Sequence, residues 1–158
     1  MDATERAELL RQYATAADEI RAAVEHLTDA ELDAPPADEP GGWTARQVVH
    51  HLADSEMTSA IRLRRLLAED DPVIAAYDEE AFARRLHYDR PIGPSLDALA
   101  AARSTTLQIL ERLSDEDWAR TGTHSESGPY GVEDWLRIYA AHGRDHAEQI
   151  RRAVGVRS

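Results

Sequence analysis

The chain has 158 residues, enough for one domain with a substantial core, and we interpret residues 1–158 as a single domain. Its net charge of −12 disfavours nucleic acid and anionic membrane surfaces as partners. It contains no cysteine and no lysine, which excludes disulfides, thiolate ligands, a cysteine nucleophile and Schiff-base chemistry. It has no apolar run of the ~20 residues that a membrane span needs and no signal-peptide core, so we expect a cytoplasmic protein.

Four long segments repeat apolar residues at spacings of three and four, the pattern of a bundle helix. They cover residues 3–27, 45–68, 95–113 and 132–154. The abundance of Ala, Leu, Glu and Arg also favours helix. The sequence therefore predicts an all-α protein, a four-helix bundle.

The second long helix has a well-defined start. Thr44 is a good N-cap and Gln47 stands three residues later, which together form a capping box. Trp43 and Val48 flank this box and can form a hydrophobic staple. The helix is predicted to end before Pro72.

The connections contain several shorter features. Residues 72–94 form a long connection, which we expect to cover one mouth of the bundle, since long ordered connections are often functional. Proline and glycine mark a loop over residues 35–42, including Pro40. Short helical pieces are predicted at residues 28–31, 78–86 and 114–118, and a loop or small hairpin at 121–131.

Two histidines lie four residues apart on the seam of the last helix, His142 and His146. Residues at this spacing share one face, so both imidazoles can bind one divalent cation. Two facing imidazoles in a core leave ring nitrogens without partners, which is costly unless a cation joins them. The same seam contains Val132, Trp135 and Tyr139, so the histidines should point into the core.

The third ligand is expected from the second helix. There His51 shares the apolar face of Val48 and Leu52, whereas His50 is rotated about 100° away and is expected at an edge or on the surface. A lone histidine on an apolar face is more often an ordinary core residue. The i, i+4 pair makes a site of His51, His142 and His146 the preferred hypothesis.

Three imidazoles leave a coordination position open, as in catalytic rather than structural zinc sites. Imidazole suits Zn, Ni, Cu or Fe, and we favour Zn or Ni. Gly143 stands where a His-Glu-x-x-His peptidase has its general base, so a zinc peptidase is disfavoured.

Several neighbouring side chains are candidates for supporting roles, although no catalytic residue is assigned. Asp54, Ser55 and Tyr139 are expected near the metal, with Asp54 able to orient a ligand ring. Glu56 is interpreted as an ordinary surface charge. Arg103 is a candidate anion contact if it faces the cavity, although a surface charge is the preferred interpretation.

Two motifs resemble those of the DinB/YfiT-like superfamily. Residues 42–55, from Gly42 to Ser55, resemble its second-helix motif, and residues 141–150 resemble its last-helix motif. Residues 77–79 and 91–96 are also similar to the YfiT branch, so the resemblance spans nearly the whole chain.

The resemblance implies an up-down-down-up four-helix bundle, three histidine ligands that map onto His51, His142 and His146, and a homodimer. It implies a small-molecule substrate and a metal-dependent enzyme. We favour an S-transferase that uses a low-molecular-weight thiol such as bacillithiol, mycothiol or a glutathione-like compound. A metal-dependent hydrolase is the alternative, and a non-catalytic stress-response metal-binding module is the second.

Overall fold

The computed structural model describes residues 1–36 and 41–155, so Pro40 of the predicted loop lies outside the described residues. The predicted all-α four-helix bundle is confirmed. Among the described helices, none is both long and apolar enough to cross a membrane. The four long helices are α1 (Ala3–Val24), α3 (Ala45–Ala68), α5 (Gly93–Leu110) and α7 (Val132–Ala153).

Each long helix packs against two of the other three. α1 packs against α5 and α7, and α3 packs against the same two helices. The first two long helices in the chain therefore lie diagonally across the bundle, unlike those of a simple up-down-up-down bundle.

Contacts along α1 and α7 show that these helices are parallel. Glu5 accepts a hydrogen bond from Arg137, and farther along both helices Ala16 lies against Gly143. α3 and α5 are also parallel, because His50 contacts Ser95 and Arg64 contacts Thr106.

α3 and α7 run in opposite directions. His51 meets His142 at one level, whereas Ser59, farther along α3, contacts Trp135, which is earlier in α7. With α1 parallel to α7 and α3 parallel to α5, the chain order of the four helices is up-down-down-up.

The capping box at the start of α3 is present as predicted. Thr44 Oγ1 accepts a hydrogen bond from the Gln47 backbone N–H at 3.3 Å, and Gln47 Oε1 accepts one from the Thr44 N–H at 2.9 Å. This cap fixes the first residue of the helix and therefore the direction in which His51 points.

Three short helices lie in the connections, at the places the sequence predicts. The 121–131 segment is a hairpin, whose second strand is antiparallel to the first. A third strand of two residues pairs in parallel with the first strand of the hairpin. It was not predicted because two residues are too few to show alternation of apolar and polar side chains. These elements are α2 (Asp29–Leu32), α4 (Glu79–Arg85), α6 (Asp115–Trp118), β1 (Val73–Ile74), β2 (Thr121–His124) and β3 (Gly128–Gly131).

The predicted bounds of α1 and α5 differ from the structure. α1 ends at Val24 because the chain then forms a turn in which the Leu27 N–H bonds the Val24 carbonyl. α5 begins at Gly93, with Pro94 in its first turn, and ends at Leu110 before a similar turn. Apolar spacing continues through such turns, so it does not mark the last helical residue.

The core consists of two apolar clusters. One is centred on Trp135, Tyr13 and Leu63, and the other on Ile20, Leu52 and Ile150. Between them lies a layer of polar side chains contributed mainly by α3, α5 and α7, which interrupts the inward face of α3. The buried members of this layer are His51, Ser55, Glu56, Ser59, Arg103 and Thr106.

Candidate metal centre

The structure brings the three predicted ligand side chains together in this polar layer. His51 Nε2 lies 3.3 Å from His142 Nε2, which lies 3.2 Å from His146 Nε2. One ligand nitrogen from each residue lies within 4.8 Å of the other two. His51 is buried, and the two α7 histidines are partly exposed, so the site can be reached from solvent.

These separations fit a common divalent ion. Imidazole nitrogens bind such ions at about 2.1 Å, which places two ligands about 3.0 Å apart at a right angle and about 3.4 Å apart at a tetrahedral angle. The observed 3.2 and 3.3 Å lie between these limits.

Hydrogen bonding among the three rings alone cannot satisfy the cluster. His142 Nε2 contacts two other ring nitrogens, but a neutral ring nitrogen carries either one proton or one lone pair. Its two contacts therefore share a single proton or a single lone pair, so only one of them can be a well-directed hydrogen bond. A cation between the rings removes the conflict, because all three nitrogens then donate lone pairs.

The protonation states also suit metal binding. Burial, together with the neighbouring His146, lowers the pKa of His51 to about 4 and that of His142 to about 2. Burial lowers the pKa of His146 as well, against the effect of its Gln149 hydrogen bond. All three rings are therefore neutral at pH 7, which is the form that ligates metal.

Gln149 orients one ligand. His146 Nδ1 lies 2.6 Å from Gln149 Oε1, so Nδ1–H donates to the amide oxygen and leaves Nε2 free to bind the ion. This role of Gln149 was not predicted, although its i+3 spacing from His146 was the available signal. Asp145, beside the ligand, pairs with Arg144 instead.

The predicted supporting residues have distinct positions. Asp54 accepts a hydrogen bond from the Tyr88 hydroxyl at 2.7 Å, and its role in orienting a ligand ring stays a prediction. Ser55 is buried one turn after His51. Tyr139 meets His142 edge-on, with ring centroids 5.9 Å apart, so it lies beside the site.

The prediction that His50 lies at an edge or on the surface is wrong. Its ring is fully buried, with Nε2 2.9 Å from the Arg90 carbonyl and Nδ1 2.8 Å from Ser95 Oγ. The carbonyl can only accept, so Nε2 carries the proton and Nδ1 accepts from the Ser95 hydroxyl. Both ring nitrogens are engaged, and His50 is not available as a ligand.

The interpretation of Glu56 and Arg103 as surface charges is also wrong. Both are buried and form an ion pair, with Arg103 Nε 2.8 Å from Glu56 Oε2. The Tyr13 hydroxyl donates to the other oxygen of Glu56. Arg103 also donates to the carbonyls of Tyr13, at 2.9 Å, and Tyr139, at 3.0 Å, so it ties together all four long helices.

Comparisons with known proteins agree with this geometry. The family model of the DinB superfamily matches residues 12–150. The chain resembles the Bacillus subtilis protein YfiT, whose solved structure is described as that of "a probable metal-dependent hydrolase with an unusual four-helix bundle topology". The TM-score is 0.89 and the identity 31%, and the match covers 98% of this chain and 90% of that one.

Two relatives are provisionally named metal-dependent hydrolases. One, from Oceanobacillus iheyensis, is 44% identical over 110 residues, which are 70% of this chain and 64% of that protein. The other, from Bacillus cereus, is 37% identical over 132 residues, which are 84% of this chain and 75% of that protein. With the family model matched along most of its length, the chain belongs to the DinB superfamily.

Proposed function

We propose that this chain is a metal-dependent enzyme that activates a small nucleophile at a divalent ion held by His51, His142 and His146. The observation that carries the proposal is the convergence of three neutral ring nitrogens at separations that fit one divalent ion. Three imidazole nitrogens suit Zn or Ni. They disfavour Mg and Ca, which prefer oxygen ligands.

A divalent ion with three neutral ligands supplies Lewis acidity and lowers the pKa of a nucleophile at its open position. The protein contributes a hydrogen-bond donor beside it. The Tyr139 hydroxyl accepts from Arg62 Nη1 at 3.2 Å, which leaves its own proton free. Burial raises the pKa of Tyr139, so it stays protonated at neutral pH and can donate to a substrate oxygen.

Hydrolysis, with water as the nucleophile, is the first candidate reaction. It is supported by the names of the relatives and of the structural neighbour, which describe metal-dependent hydrolases. The three-histidine donor set is also that of enzymes in which water is activated on zinc.

S-transfer from a low-molecular-weight thiol to an electrophilic small molecule is the second candidate. The chain has no cysteine, so the sulfur of such a reaction must come from a free thiol. Three neutral ligands leave the full charge of the ion to stabilise the thiolate.

We also propose a homodimer. Met57 and Ile61 lie one turn apart on α3, with 45% and 58% of their surface exposed, and offer an apolar face for a second copy. Light scattering of the wild type and of Ile61→Asp tests this, since the variant should be monomeric if this face is the interface.

The function is tested on metal-free protein reloaded with Zn or Ni. We expect one ion per chain, together with either hydrolysis of ester or amide probes or conjugation of a fluorogenic electrophile with a thiol. His142→Ala should abolish both metal binding and turnover. One bound ion without turnover would instead support a metal-binding module, and activity that survives metal removal would contradict the proposal.

A further inference from the structure

Beside Tyr139 lies Arg62 of α3, a cation for which the described part of the chain supplies no anionic partner. Arg62 is half-buried and donates to two neutral oxygens, the Tyr139 hydroxyl at 3.2 Å and the Ala75 carbonyl at 2.7 Å. Its buried Nε has no hydrogen-bond partner among the described residues. Within residues 1–36 and 41–155, no carboxylate forms an ion pair with Arg62 at 4.0 Å or less.

A second unpartnered group lies next to it. The Tyr77 ring is 5.6 Å from the Arg62 guanidinium carbon, and its buried hydroxyl makes no hydrogen bond of normal geometry. That hydroxyl is near the side chain of Ser55, one turn after His51 on α3. Arg62, Tyr139 and Tyr77, the last from the 72–94 connection, therefore form a polar wall beside the metal centre.

The charges around this wall favour an anion. Most of the described arginines form an ion pair with a carboxylate. Glu79 acts electrostatically on Arg62 and Tyr77, but it lies beyond ion-pair distance from Arg62. Burying a guanidinium without a counter-charge, or a hydroxyl without a hydrogen bond of normal geometry, raises the free energy of the folded protein. Both costs fall if a negatively charged ligand accepts hydrogen bonds from them.

We propose that Arg62, assisted by the hydroxyls of Tyr77 and Tyr139, binds a carboxylate group of the substrate beside the metal centre. This inference rests on the proposed function. It narrows the substrate class to small molecules that have a carboxylate on one side of the reacting atom. Examples are thiols that carry a carboxylate and half-esters of dicarboxylic acids.

The test uses binding rather than turnover, so it does not depend on which reaction is catalysed. The probes are two hydroxamates, which ligate divalent ions, of equal length and ending in either a carboxylate or a carboxamide. Their affinities for the Co-loaded protein are read from its visible spectrum. We expect the wild type to bind the carboxylate about tenfold more tightly than the carboxamide.

Arg62→Gln should bring this ratio close to one while one metal ion per chain is retained, and Arg62→Lys should keep part of the preference. Tyr77→Phe should lower the ratio less than Arg62→Gln, because it removes a neutral donor. A role of Arg62 limited to holding Ala75 would change both affinities equally and would overturn the inference, as would a wild-type ratio of one. Failure of the wild type to hold metal would overturn the proposed function itself, and the subsite with it.

Discussion

Gly143 and Arg103 fit together so closely that no other residue type can occupy position 143 without displacement. A Cβ on Gly143 would lie 3.1 Å from Arg103 Nη2 and 2.6 Å from the Cβ of Ala16 on α1. The glycine lets α1 and α7 approach and lets the Arg103 side chain reach the Tyr139 carbonyl, within one turn of the ligand His142.

We therefore expect Gly143→Ala to destabilise the protein by about 1–3 kcal/mol, the usual cost of overpacking, despite the better helix propensity of alanine. Urea unfolding measures this change. Ala16→Gly in the same chain removes the closest clash and should restore part of the stability. An unchanged midpoint in Gly143→Ala would show that α1 and α7 can separate freely.

Arg103→Met should be more severe. It leaves the buried Glu56 without its cation, and breaking such a pair costs about 3–5 kcal/mol. Replacing both residues, Arg103→Met with Glu56→Leu, should recover much of the loss, because no charge is then buried alone. Urea unfolding of the two variants checks this, and equal stability of both would contradict the role of the pair.

Metal binding should distinguish the two adjacent histidines of α3. His51→Gln should lose the ion, whereas His50→Gln should keep one ion per chain, because both ring nitrogens of His50 are engaged by Ser95 and Arg90. Inductively coupled plasma analysis counts the ions. A free ion concentration 100 times Kd should stabilise the His50 variant by about 2.7 kcal/mol, and the His51 variant by nothing.

Gln149→Leu should lower metal affinity by about 10- to 100-fold without unfolding the protein, since it removes only the acceptor that orients His146. Gln149→Glu retains an acceptor at the same place and is the matched control. Competition with a chromophoric chelator gives the affinities, and equal values for the Leu variant and the wild type would refute the orienting role.

The metal-free protein should lose stability as the pH falls from about 6.5 towards 4. The pKa of His51 is about 4 when folded, below the ordinary value of 6.5, so the unfolded chain binds the extra proton in this range. The unfolding free energy then falls by up to about 1.4 kcal/mol per pH unit for each such histidine.

His51→Gln cannot titrate at this position and should show a smaller slope in the same pH range. Burial raises the pKa of Glu56, against the opposing effect of Arg103, and this carboxyl changes stability in the opposite direction. It is present in both proteins, so the difference between their slopes reports His51. Equal slopes, measured by urea unfolding in chelator, would contradict the prediction.

Local patterns in the sequence predicted the long helices and also predicted that the three ligand histidines lie on the inward faces of their helices. The capping box at Thr44 starts α3, and the i, i+4 spacing places His142 and His146 together, since both effects involve only neighbours along one helix. The pairing of these histidines with His51 was also predicted, because its apolar neighbours mark an inward face.

The tertiary structure decided which charged residues are buried. α3 packs against both α5 and α7, so its buried surface is wider than one apolar stripe and includes His50 and Glu56, which a helical wheel assigns to the edge or surface. The sequence does not distinguish Arg103 from Arg62, yet within the described residues Arg103 pairs with a buried carboxylate and Arg62 with none. Their partners come from distant parts of the chain, and only the packing of the helices determines which of them meet.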